Sequence, residues 1–282
     1  MTGCPEESRA TIQRFESGLP TTVGDDAVAV EEPLEIRLGR VVDGKLRLQP
    51  VSITMRTPGD DFELAAGFLF TEGILQSSEQ VREILHCGKG KGATNTLRVE
   101  LVAGVDVDMK RLERNFYTTS SCGVCGKTSL EALATGAQRV SPPADFTVDA
   151  RLIDELPERL QSQQHAFRST GGLHASALFS RTGELLVLRE DVGRHNALDK
   201  LIGSRFLAGT LPANDTILFL SGRASFELLQ KAVMAGIPVV CAVGAPSSLA
   251  IEAAREFGVT LLGFVRGQRF NVYTGQERLV YR

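Results

Sequence analysis

Three short apolar runs in the C-terminal half, Ile217 to Leu220, Val239 to Val243 and Leu261 to Val265, are separated by two segments of helical spacing, Phe226 to Ala235 and Leu249 to Phe257. Runs this short and this apolar read as strands buried on both faces. Gly236, with Pro238 beyond it, ends the first helical segment and Gly258 ends the second. Two successive strand–helix–strand units require a parallel sheet with helices packed on its faces. Ligands of such sheets bind at the carboxyl ends of the strands. Leu173 to Phe179 and Leu185 to Leu188 read as further strands, and Asn196 to Ile202 lies in the helix that follows them.

The N-terminal half has a different texture. Residues 1–24 are polar and without periodicity, and are expected to be a flexible tail. Leu34 to Leu38 and Leu46 to Met55 flank Asp43-Gly44, which predicts a β-hairpin. Asp60 and Glu63 have the spacing of a capping box, ahead of a helix whose apolar face carries Phe62, Leu64, Ala65, Phe68 and Leu69. Asn95 to Val102 reads as another strand, so this half is expected to be a small α+β roll. A chain of 282 residues has room for about two domains. The expected division is a small α+β domain over 25–115, a loop and helix over 116–140, and an α/β domain over 141–282, with the break near Pro142-Pro143.

A formal net charge of −3 provides no general attraction for nucleic acid or an anionic membrane. Any anionic ligand must therefore be met by a local basic site. Met1 to Pro20 holds no basic segment followed by an apolar run, and Ile237 to Ala245 is too short to cross a bilayer. The expected location is the cytoplasm. Five cysteines, an odd number, argue against a disulfide framework and fit a reducing compartment.

Two of those cysteines form a Cys-x-x-Cys. Cys122 and Cys125 sit in Tyr117-Thr-Thr-Ser-Ser-Cys-Gly-Val-Cys-Gly-Lys-Thr128, which has the composition of an exposed loop. Thr128 and Glu131 have capping-box spacing, which places the thiols before a helix N-terminus with Lys127 close by. Both features favour thiolate, the form that attacks a sulfur donor and can carry a terminal sulfur as a persulfide. Half of a zinc site is a rival, although Cys4, Cys87 and Cys241 provide no second pair. A redox dithiol is another, although the pair does not follow the first strand of a βαβ unit. Spacing alone leaves redox chemistry and sulfur transfer open.

Three further segments lie at strand-to-helix turns. Leu188 to Lys200 carries Arg194, able to fork onto a phosphate, and His195, able to move a proton. The plainer account is that Asp191 caps the helix and Arg194 pairs with a surface carboxylate. Ser221, Gly222 and Arg223 end a buried strand ahead of a helix whose first amides can cradle a phosphate, without the spacing of a P-loop. Gly244-Ala-Pro-Ser-Ser248 repeats the arrangement, and Arg266 and Arg269 follow the last strand. One such turn is an ordinary capped βα connection. Two neighbouring turns and a basic segment point to a phosphate-bearing ligand. His174 is read as a half-buried polar residue, and Cys87 and Cys241 as packed thiols.

Together these segments resemble the FdhD/NarQ family, from about Val41 to Tyr273. The resemblance is carried by Phe68-Leu-Phe-Thr-Glu-Gly73, Ser120-Ser-Cys-Gly-Val-Cys-Gly126, Thr170-Gly-Gly-Leu-His174, Glu190 to Lys200, Ser221-Gly-Arg223, Gly244-Ala-Pro246 and Gly263 to Tyr273. It implies a sulfurtransferase. A cysteine desulfurase loads sulfur onto Cys122, Cys125 is a helper or second carrier, and the sulfur goes to molybdenum bis(molybdopterin guanine dinucleotide), as formate dehydrogenase requires. It implies that Phe264, Val265, Arg266, Gly267, Gln268 and Arg269 bind this cofactor as an acceptor, with no permanent cofactor and no metal. A homodimer and a C-terminal cytidine deaminase-like, three-layer domain are also implied. Deaminase chemistry is not, because His195 is followed by Asn196-Ala197 and no Pro-Cys-x-x-Cys lies in the C-terminal half. The alternatives are a non-catalytic, cofactor-binding chaperone for formate dehydrogenase and a zinc or redox Cys-x-x-Cys protein.

Overall fold

A computed structural model of the chain describes residues 6–88, 90–107 and 137–281. The expected flexible tail is, from residue 7 onward, part of a hairpin: β1 (Glu7–Arg14) pairs antiparallel with β2 (Thr22–Ala29), Glu7 opposite Ala29. Its strands bury almost no side chains. The hairpin is held by its own ladder and tied down at its base, where Val30 N donates to Glu6 O at 2.9 Å and the Ser169 hydroxyl meets the Glu7 carboxylate. With no buried face there is no apolar periodicity to read.

The hairpin predicted around Asp43-Gly44 is present as β3 (Glu32–Val42) and β4 (Lys45–Arg56). Asp43 and Gly44 both have positive φ, 49° and 71°, as a two-residue type I′ turn requires. Leu34, Ile36 and Leu38 alternate onto the buried face of β3. β6 (Thr96–Leu101) lies parallel beside β3, and β5 (Val81–His86) closes the sheet order β4-β3-β6-β5. Helix α1 (Asp61–Thr71) follows, but the capping box does not form. Asp60 is left-handed (φ 53°) and makes no side-chain cap. Both carboxylates turn instead to Arg189, whose Nη2 donates to Glu63 Oε1 at 2.7 Å and whose Nε lies 3.3 Å from Asp60 Oδ2. A tertiary ion pair has displaced the local one.

The C-terminal sheet has the order β13-β12-β11-β10-β8-β9. β10 (Thr216–Leu220), β11 (Val239–Ala242) and β12 (Thr260–Gly263) are parallel as expected. β8 (His174–Ser180), β9 (Leu185–Asp191) and β13 (Asn271–Thr274) add antiparallel strands, so the sheet is mixed. Successive residues of β10 face opposite layers. Ile217 and Phe219 pack with Ile153, Leu156 and Leu160 of α2 (Ala150–Gln163), while Leu218 and Leu220 face helices α4 (Arg194–Leu207), α5 (Phe226–Met234) and α6 (Ser248–Phe257). The short helix α3 (His165–Thr170) leads into β8, and a two-residue parallel pair, β7 (Val148–Asp149) with β14 (Leu279–Val280), lies apart from the main sheet. The chain is thus a mixed α/β protein with helices on both faces of its larger sheet.

The second core layer does not stop at the C-terminal helices. It runs on through Leu64 and Leu69 of α1 to Leu34, Ile36 and Leu38. Helices α1 and α4 cross with backbones in contact. A Cβ at Gly67 would lie 1.9 Å from the Asp199 carbonyl oxygen, and one at Gly203 would lie 1.8 Å from that of Glu63. Among the described residues, no helix is long and apolar enough to cross a membrane.

Candidate functional site

The turns that leave β10, β11 and β12 lie side by side and are hydrogen-bonded to one another. Gly244 N donates to Gly222 O at 2.9 Å, Phe264 N to Gly244 O at 3.2 Å, and Ser247 N to Ala224 O at 3.0 Å. This places Ser221-Gly222-Arg223, Gly244-Ala245-Pro246 and the segment from Phe264 to Arg269 along one edge. The approach is tight: a Cβ at Gly244 would come 2.9 Å from Arg223 Cγ. Ser225 caps α5 by accepting from Leu228 N at 3.5 Å, and Ser247 caps α6 by accepting from Ala250 N at 3.2 Å. Both helix N-termini, with the positive ends of their dipoles, open onto this edge.

Strand direction brings the remaining residues to the same place. β8 runs against β10, with Ser176 opposite Leu220, and β9 runs against β8, with Asp191 opposite His174. The start of β8 and the end of β9 therefore meet the carboxyl ends of the parallel strands. His174 Nδ1 lies about where Gly222 leaves room, 3.5 Å from the position of a Cβ there. Arg194 and His195 begin α4, the third helix to start at this edge.

His195 Nε2 is 2.9 Å from Glu227 Oε2 on the first turn of α5. The hydrogen bond from His195 is the main influence holding the Glu227 carboxyl below the usual range, against the effect of burial and with help from the charges of His195, Arg194 and Lys231. Glu227 is ionised at neutral pH and can only accept, so Nε2 of His195 carries the hydrogen. His174 is pushed below the ordinary histidine range, first by burial and then by the nearby Arg194 and His195, with Asp191 opposing. It is neutral at neutral pH.

The charged run from Glu190 to Lys200 divides in two. Asp191 points inward: it accepts from Gly193 N (2.8 Å), Thr57 N (3.1 Å) and Asn196 Nδ2 (3.1 Å) and pairs with Lys200 Nζ at 2.8 Å. The plainer expectation that Asp191 caps the helix does not hold: the N-cap of α4 is Gly193, without a side-chain cap, because the Asp191 carboxylate is taken up by Lys200 and the Thr57 amide. Arg194, for which that account expected a surface carboxylate, makes no ion pair among the described residues, nor do Arg223, Arg266 and Arg269. These guanidinium groups and the helix amides suit a ligand carrying phosphates.

Within the last segment, Arg266 N donates to Arg269 O at 3.1 Å, and Gly267 and Gln268 between them have φ of 60° each. Arg266, Gly267, Gln268 and Arg269 are exposed, Phe264 is half-buried, and Val265 is fully buried in the core under the sheet. Val265 thus supports the turn from below, its N–H bonded to Ala242 O at 3.1 Å, and presents no side chain to a ligand. Cys241 is a buried thiol whose pKa burial raises, as expected of a packed residue, and Cys87 is half-buried. Cys122 and Cys125, with the expected Thr128 and Glu131 capping box, lie outside the described residues. Glu227, Thr57 and the placement of His174 are not visible in the sequence, because each joins the site through a contact between distant segments. Among the described residues, no His, Cys, Asp and Glu side chains group in threes fit to hold a metal ion.

The molecule is thus a mixed-sheet α/β protein that gathers capped turns, two histidines and several guanidinium groups at the carboxyl end of its parallel strands. Residues 29–280 match the sequence profile of the FdhD/NarQ family, and the chain belongs to that family. Two relatives bear the name sulfur carrier protein FdhD. The one from Streptomyces avermitilis is 51% identical over 279 residues, covering 97% of this chain and 96% of its own. The one from Mycolicibacterium paratuberculosis is 53% identical over 259 residues, covering 90% and 92%. A crystal structure described as that of a formate dehydrogenase accessory protein from Desulfotalea psychrophila superposes with a TM-score of 0.73 at 26% identity, covering 98% of this chain and 100% of that one.

Proposed function

We propose that this protein is a sulfur carrier that takes sulfur from a cysteine desulfurase as a persulfide on Cys122 and hands it to molybdenum bis(molybdopterin guanine dinucleotide), in service of a formate dehydrogenase. The names of its relatives support sulfur carriage. The observation that carries the acceptor assignment is the row of hydrogen-bonded turns after β10, β11 and β12, edged by Arg223, Arg266 and Arg269. An acceptor with two guanine dinucleotides brings several phosphates, and helix amides with planar guanidinium groups answer them. The same reading places the carrier in the cytoplasm and makes it a homodimer.

Loading is a thiol exchange. The Cys122 thiolate attacks the terminal sulfur of the donor's persulfide; the donor's S–S bond breaks, its cysteine leaves as thiolate, and a new S–S bond forms at Cys122. Delivery as sulfide needs two electrons. The Cys125 thiolate supplies them by attacking Cys122 Sγ, which releases hydrosulfide and leaves a Cys122–Cys125 disulfide for a thiol reductant to reset.

The test is the intact mass of the protein after incubation with an active cysteine desulfurase and cysteine. A sulfur-sized, reductant-sensitive gain that is absent in Cys122→Ala is expected. No gain in the wild type would favour a cofactor-binding chaperone.

A further inference from the structure

Helices α4 and α5 face each other through two ionic rungs one helical turn apart. The outer rung is His195 with Glu227, at the edge where the turns gather. Four residues on along each helix comes the inner rung, Asp199 with Lys231, whose polarity is reversed. Lys231 Nζ lies 2.8 Å from Asp199 Oδ2 and 2.9 Å from Oδ1, and Thr71 Oγ1 of α1 donates to Asp199 Oδ1 at 2.9 Å. The inner rung is buried, whereas His195 and Glu227 keep 33% and 25% of their side-chain surface open to solvent. Of the two rungs, the outer one alone is open to a ligand at this edge.

We propose that Glu227 is a positioning residue: by accepting from Nε2 of His195 it fixes the orientation and tautomer of that imidazole, which moves the proton when sulfur is handed on. This rests on the sulfur-carrier reading above. Nε2–H bound to a carboxylate leaves Nδ1 as the nitrogen able to face the ligand, the division of labour by which a carboxylate orients a histidine in general acid–base sites. The proton has a use. Replacing an oxygen of the acceptor by sulfur consumes one hydrosulfide and one proton and releases that oxygen as water; His195 as imidazolium supplies the proton and recovers one from solvent. The titratable and charged groups around the pair are Arg194 on α4, Lys231 on α5, and His174 and Asp191 from the ends of β8 and β9. Glu227 is the one carboxylate of the set that hydrogen-bonds His195. A glutamine there keeps the size but offers either an oxygen or an NH2 to Nε2, so the tautomer is no longer dictated.

The experiment compares wild type, Glu227→Gln, His195→Gln and the double variant in two readouts: sulfur loading of Cys122 by intact mass, and the pH profile of the rate at which loaded protein activates apo formate dehydrogenase. Both single variants load sulfur like the wild type, deliver it about 10- to 100-fold more slowly, and change the pH profile. The double variant is no slower than the slower single one, because the two residues act as a unit. Delivery by Glu227→Gln at the wild-type rate and pH profile overturns the proposal, as does a double variant whose loss is the product of the two single losses. Should Glu227→Gln fail to fold in a thermal melt, Glu227→Asp, which withdraws the carboxylate from Nε2, takes its place with the same criteria. Failure of the wild type to load sulfur is a separate result that removes the sulfur-carrier reading and this proposal with it.

Discussion

His174 and His195 share one sheet edge and meet different surroundings, a carboxylate for His195, and burial with Arg194 and His195 close by for His174. A histidine whose folded pKa lies below its unfolded value binds fewer protons folded than unfolded. Stability from such a group is complete above the unfolded value, about 6.5, and is lost as pH falls from there through the folded value. His174→Gln removes that contribution to the slope. Its melting temperature should therefore fall less than that of the wild type between about pH 7.5 and about pH 5.5, where histidines titrate. Parallel slopes in a melting series over that range would exclude the argument. Arg194, His195, Ser221 and Arg266 were legible as site candidates because strand-to-helix turns are marked in one dimension by glycine, serine and a change of period. His174 was legible only as a polar residue opening a strand. Its place at this edge depends on β8 running against β10, and no local pattern carries strand direction.

Elements that their own sequence decides are legible in it, and elements decided by a neighbour are not. β10, β11 and β12 declare themselves by apolar runs bounded by glycine, and the β3–β4 turn by Asp43-Gly44. The β1–β2 hairpin has no buried face, and the Asp60 to Glu63 box loses its carboxylates to Arg189, two outcomes that local propensity cannot foresee. Gly67 is the sharpest case. In a helix interior, glycine costs about 1 kcal/mol relative to alanine, so propensity alone predicts that Gly67→Ala stabilises α1. The added Cβ, however, would stand 1.9 Å from the Asp199 carbonyl oxygen, and backbone on both sides cannot yield as a flexible side chain would. Overpacking of this kind costs about 3 kcal/mol or more, which outweighs the propensity gain. Gly67→Ala and Gly203→Ala should each lower the urea midpoint of unfolding. A raised midpoint in either would mean that α1 and α4 do not cross at these two glycines.

Across the whole molecule, the two halves that differ in texture are joined by polar groups as well as by a shared apolar core. Lys200 Nζ donates to Thr57 O at 2.9 Å, Asn196 Nδ2 donates to Met55 O at 2.7 Å, and Thr71 of α1 bonds to the Asp199–Lys231 pair. All of these tie α4, which begins at the candidate site, to the N-terminal sheet or to α1. The Asp199–Lys231 pair is fully buried: burial raises the pKa of Asp199, and Lys231 is the largest influence holding it down. Lys231→Met leaves that carboxylate without its counterion, a change that costs about 3–5 kcal/mol in buried pairs. Burial already holds the folded pKa of Asp199 above its unfolded value, about 3.9, and loss of the lysine raises it further, so more stability is lost as pH rises from there through the folded value. The deficit of Lys231→Met relative to wild type should thus be smaller near pH 5 than near pH 8, in urea titrations at both. Asp199→Leu combined with Lys231→Met removes both charges and should regain most of the loss at the higher pH, leaving Thr71 to find another acceptor. A double variant no more stable than Lys231→Met would show that the pair contributes through the fit of its side chains between α1, α4 and α5, and that charge compensation is the smaller part.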